Sequence, residues 1–87
     1  MADALEAKRK RLIYQSWYRG CKETDILLGE FARAHLEHCD EKTLNDYELL
    51  LAEDDRAIFD WMTSQSTIPE RIQNNRAFTA MQEFHRN

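Results

Sequence analysis

Apolar residues recur at helical spacing along nearly the whole chain, broken by two glycines, an acidic turn and one proline. Ile13, Tyr14, Trp17 and Tyr18 form a wide apolar stripe in a first segment from Ala2 to Arg19, and Lys8 to Arg11 point largely outward. Gly20 ends that segment, because glycine just past a helix adopts positive φ at little steric cost. A second segment from Glu23 to Glu37 carries Leu27, Leu28, Phe31 and Ala34 at the same period, with Glu30, Arg33 and Glu37 opposite. Lys22 and Thr24 are alternative starts for it. Gly29 interrupts this pattern at a propensity cost of about 1 kcal/mol against alanine, and is read as a point of close helix packing.

The third segment is expected to begin between Thr43 and Asp46, with Thr43 or Asn45 as its cap, and to bury Leu44, Tyr47, Leu50 and Leu51. Glu53-Asp54-Asp55 breaks the apolar pattern. Asp54 is placed to cap a short fourth helix bearing Ile58, Phe59, Trp61 and Met62. Ser64 to Pro69 reads as a connection. Ile72, Phe78, Met81 and Phe84 then mark a last helix that starts near Pro69 or Asn75. Few β-branched residues and little glycine or proline favour helix over sheet. The expectation is an all-α bundle of about five helices forming a single domain over residues 1–87.

Composition narrows the function classes. Eighty-seven residues hold one core, and a chain of this size buries only about 60% of its unfolded surface. A 43% hydrophobic fraction argues for folding despite 32% charged residues. The net charge of −4 argues against a general nucleic-acid binder, leaving Lys8-Arg9-Lys10-Arg11 as a solvated helix face. No stretch reaches the ~18 apolar residues of a membrane span, so no direct membrane insertion is expected. The opening residues have neither a signal core nor transit-peptide character, which implies a bacterial cytoplasmic protein, or a mitochondrial matrix protein whose presequence has been removed.

Chemistry of the catalytic kind is hard to find. There is no Gly-rich phosphate loop, nucleophile elbow or metal-binding H-E-x-x-H pair, so no catalytic residue is assigned and the chain is read as no enzyme. His35, His38 and Cys39 form H-x-x-H-C, but a structural zinc site wants four ligands and only His85 remains, so no metal is expected. Cys21 and Cys39 are read as free thiols.

The distinctive stretch is Trp17-Tyr18-Arg19-Gly20-Cys21-Lys22-Glu23, an R-G-x-x-E corner between two helices. A helix end followed by an acidic first turn explains Gly20 and Glu23. Arg19 among exposed aromatics also suits an interface, where Arg, Trp and Tyr are over-represented. The corner is followed by Asp25-Ile26-Leu27-Leu28, Phe31-Ala32, Leu44, Tyr47, Leu50-Leu51, an acidic turn and Asp60-Trp61. In that order the chain resembles the small assembly factors that promote covalent flavin attachment to succinate dehydrogenase, the flavinators. Thr24 departs from the apolar residue that bacterial members often carry there.

The resemblance implies a helical chaperone for the flavoprotein subunit of succinate dehydrogenase, with the flavoprotein of fumarate reductase as a related second client. It implies no tightly bound cofactor of its own, since FAD and the histidine it is joined to belong to the partner. Arg19, Gly20 and Glu23 carry over as the functional corner, with Asp25 as a neighbour. Trp17, Tyr18, Asp54, Asp55 and Trp61 join them as interface or supporting residues. Arg19 is expected to donate to the partner, and Glu23 either to hold Arg19 or to pair across the interface. Gly20 is expected to allow close backbone approach. The competing readings are a generic helical adaptor and an antitoxin-like regulator, neither affecting flavin content.

Overall fold

The computed structural model describes residues 2–86, and among these residues it contains six α-helices and no strand. They are α1 (Ala2–Trp17), α2 (Lys22–His35), α3 (Glu41–Leu51), α4 (Asp55–Met62), α5 (Glu70–Gln73) and α6 (Arg76–Arg86). The first two helices pack on each other, α3 packs on α6, and α2 touches both α4 and α6. Leu28, Phe31, Leu44, Tyr47, Leu50, Ile58, Phe78 and Met81 meet in the centre, each almost wholly buried.

The apolar stripe of α1 is narrower than its sequence suggests. Leu12 and Ser16 are buried, whereas Tyr14 and Tyr18 stand in solvent. Positions four apart share a helix face, so a polar Ser16 takes the inward place after Leu12. Its hydroxyl is satisfied there by Leu12 O at 2.7 Å and by the Tyr47 hydroxyl at 2.5 Å. Nor does the basic run simply face water. Lys8 and Arg11 both reach Glu48 of α3, at 3.1 and 2.6 Å. Arg9 donates to the carbonyls of Glu37 and Cys39, at 3.0 and 2.8 Å, beyond the end of α2. Cations near a helix C-terminus also complement its dipole. Lys10 pairs within its own helix, through Glu6 at 3.9 Å.

Four boundaries differ from the sequence reading, the first helix ending at Trp17 rather than Arg19. The second helix ends at His35 rather than Glu37, with Leu36 tucked into the core and Ala34 exposed. The third begins earlier, at Glu41, because Asp40 caps it by accepting the Thr43 N–H at 2.8 Å. Neither Thr43 nor Asn45 is the cap. Pro69 and Asn75 each precede a helix, which resolves the ambiguous start and raises the count to six. Pro69 leads into the single turn of α5, and the Asn75 carboxamide accepts from Phe78 N–H at 2.9 Å while donating to Asp46 O at 2.8 Å.

Candidate functional site

Residues 18–21 turn the chain from α1 into α2. Gly20 holds φ +106°, in the region that L side chains rarely adopt, and a Cβ built on it meets nothing within 4 Å. The glycine is therefore required by backbone conformation rather than by crowding within the chain. The space over it is open.

Arg19 is turned inward. Its guanidinium pairs with the Asp55 carboxylate and donates to Leu51 O at 2.5 Å and Glu53 O at 2.7 Å. The carbonyls leaving α3 lack helical partners of their own, and a guanidinium fork suits them and a carboxylate together. Those three N–H groups serve the fold and are not free for a partner. Glu23 does not hold Arg19 either. Its side chain accepts from the Cys21 thiol at 3.7 Å and stays exposed. Asp25 takes the holding role, accepting the backbone N–H of Arg19 at 3.1 Å.

Thr24 is buried, and its hydroxyl donates to Asp55 O at 3.0 Å, tying the start of α2 to α4. The departure from an apolar residue is thus accommodated by a hydrogen bond. Asp54 caps α4, accepting the N–H of Arg56 and Ala57 at 3.0 and 3.3 Å. Beside it the Glu53 carboxylate is gripped by Arg71 at 2.9 and 3.0 Å, and this bonding holds Glu53 below its ordinary pKa.

The two tryptophans support the site from behind. Trp17 is half-buried and lies against Gly29 of α2. Trp61 is 6% exposed, edge-on to Phe78 with centroids 6.3 Å apart. Of the two roles left open for Trp61, burial assigns the supporting one.

Tyr18, Arg19, Asp54 and Asp55 come together in one open groove of about 510 Å³, completed by Tyr14, Gln15, Leu51 and Glu53. The sequence reading placed Tyr14 in the core stripe and overlooked Gln15 altogether. The signal was available: Leu5 and Leu12, seven apart, mark an inward face that excludes Tyr14. Among the described residues, no group of three or more His, Cys, Asp or Glu is placed to hold a metal ion. No helix among them is long and apolar enough to cross a membrane.

Fold and site define a small all-α protein that presents an open, acidic and aromatic surface. A sequence model of the family described as the flavinator of succinate dehydrogenase matches residues 10–85, and the chain belongs to that family. A protein of Candida glabrata named succinate dehydrogenase assembly factor 2, mitochondrial, is 41% identical over 88 residues, covering 98% of this chain and 58% of that protein. Its namesake from Saccharomyces cerevisiae is also 41% identical over 88 residues, covering 98% and 54%. The Dictyostelium discoideum namesake is 42% identical over 69 residues, covering 79% and 49%. The chain spans about half the length of these curated relatives.

Proposed function

We propose that this chain is a non-catalytic assembly factor that binds the flavoprotein subunit of succinate dehydrogenase and promotes its covalent flavinylation. The observation that carries this reading is the rigid Arg19-Gly20-x-x-Glu23 corner, braced from inside by Asp25, Asp55 and the end of α3, in a chain of the flavinator family. Such a brace presents Gly20 and Glu23 to a client at little entropic cost. The helper then raises the rate by favouring the client conformation in which its histidine and the flavin methyl carbon are in near-attack arrangement. It supplies no reacting group.

FAD stays with the client on this reading. The acidic lining of the groove opposes a pyrophosphate, which supports that assignment. The flavoprotein of fumarate reductase is proposed as a second client of the same corner. The relatives are named as mitochondrial, which supports the matrix rather than the bacterial cytoplasm as the compartment of action.

Co-expression with the flavoprotein subunit, followed by in-gel fluorescence of denatured protein, tests the function. Covalent flavin is expected to rise with the wild-type chain and not with Gly20→Arg. Its side chain meets no crowding within the chain, but the positive φ strains it at a cost of about 1–3 kcal/mol, so helical circular dichroism of the variant is checked alongside. Unchanged flavin with the wild type, both proteins being folded, removes the reading and leaves a helical adaptor with another client.

A further inference from the structure

The groove beside the corner holds chemistry that the R-G-x-x-E motif does not use. Tyr14 and Tyr18 lie one helical turn apart, 65% and 71% exposed, with ring centroids 4.6 Å apart and planes inclined by 36°. The rings lie against one another and form an exposed pair on the wall of a concave surface.

The groove also carries more negative charge than it neutralises. Arg19 is engaged by Asp55, and Glu53 by Arg71. Asp54 has no ion-pair partner among the described residues. Only its Oδ2 accepts the capping N–H groups, so Oδ1 is left for an outside donor. An exposed aromatic pair and a carboxylate without an ion-pair partner among the described residues, lining one groove, fit a planar cation.

We propose that this groove receives an arginine side chain of the flavoprotein client, stacked on the Tyr14–Tyr18 pair and hydrogen-bonded to Asp54. The proposal rests on the client reading above and adds the chemistry by which the client is recognised. Arginine suits the site better than lysine, because its flat guanidinium stacks on a ring while its edge donates to a carboxylate. An anionic ligand, including the pyrophosphate of a flavin nucleotide, meets the wrong charge here. The site differs from the Gly20 corner in kind: it selects a basic side chain, whereas the corner admits a close backbone.

Binding of the full chain to the purified flavoprotein subunit, measured at low and high salt, tests this. Asparagine caps helices as well as aspartate does, so Asp54→Asn removes the charge while keeping α4. It is expected to weaken binding about tenfold at low salt and to flatten the salt dependence. Tyr14→Leu and Tyr18→Leu are each expected to weaken binding about threefold to tenfold, and Tyr18→Phe to bind nearly as wild type, since the ring face is kept. A photo-crosslinking phenylalanine analogue at position 14 is expected to capture a client peptide containing arginine.

Asp54→Asn with wild-type affinity and salt slope, beside a wild type that binds and flavinylates, overturns the arginine site and leaves the assembly function standing. A crosslink to flavin, or to a peptide with no arginine, overturns it as well. A wild type that neither binds nor flavinylates removes both readings together.

Discussion

Arg19 and Asp55, 36 positions apart in sequence, form an ion pair that fastens the turn after α1 to the first turn of α4. Both side chains are largely shielded, 15% and 23% exposed. The same guanidinium takes up the carbonyls of Leu51 and Glu53, so one residue closes the end of α3 and the start of α4. The arginine of the motif therefore positions the corner from within. The outward surface belongs to Gly20, Glu23 and the two tyrosines.

That arrangement separates fold from function at the motif. Arg19→Lys keeps the charge but cannot reproduce a fork shared among three acceptors, and is expected to lower stability by about 2 kcal/mol. Arg19→Ala leaves Asp55 unpaired and is expected to cost about 3 kcal/mol. Urea unfolding followed by circular dichroism checks both. Wild-type midpoints would show that the guanidinium does not brace the fold.

Gly29 and Trp17 fix the approach of α1 to α2. A Cβ at position 29 would fall 2.5 Å from Trp17 Cε2, so the ring or the helix pair must shift to admit it. Gly29→Ala is expected to destabilise by about 2 kcal/mol despite alanine's better helix propensity. In a Trp17→Leu background the same substitution is expected to cost much less, so a double-mutant cycle should show strong coupling. Additive effects would mean that the ring does not set the approach.

Much of this was legible in the sequence because periodic burial and caps are local signals. Leu44, Tyr47, Leu50 and Leu51 are buried as their spacing demands, Asp54 caps α4, and Gly29 marks a close approach. What was not legible depends on partners distant in sequence. Nothing near Arg19 reveals that residues 51, 53 and 55 will occupy its donors. The basic run looked solvated because Glu48, which takes up two of its cations, lies 37 positions beyond Arg11. Tyr14 is a different case: Leu5 and Leu12 mark the inward face locally, and only the polar Ser16 that continues it depends on Tyr47, far along the chain.

Acid should weaken the fold through three carboxylates held below their ordinary pKa. Asp40 is lowered by its capping bond to Thr43, Glu48 by hydrogen bonding to Lys8, and Glu53 by hydrogen bonding to Arg71. A depressed native value means that the unfolded chain binds more protons, so this stability is present above the unfolded pKa and is lost as pH falls through the native one. Stability is thus expected to decline from about pH 5 downward. Glu53→Gln should make the decline shallower, and added salt should reduce the contributions of Glu48 and Glu53 more than the Asp40 cap. Acid titration of the urea midpoint at two salt concentrations is the check. Equal slopes in wild type and Glu53→Gln would rule out the Arg71 contact as a source.

Alkali should act through one buried phenol. Tyr47 is enclosed, and burial pushes its pKa well above the ordinary value near 10, against the smaller lowering by the Ser16 hydroxyl and the charge of Arg19. For an acid that stays protonated in the fold, stability is complete below the unfolded pKa and is lost as pH rises above it. The loss approaches about 1.4 kcal/mol per pH unit for one proton. Tyr47→Phe removes this titration but also a hydroxyl that lies 3.2 Å from Leu28 O, so it is expected to cost about 1 kcal/mol at neutral pH. The two unfolding curves should therefore converge above about pH 10, with Tyr47→Phe the less pH-sensitive protein. Parallel curves through that range would mean that the Tyr47 phenol ionises in the fold as readily as it does in the unfolded chain.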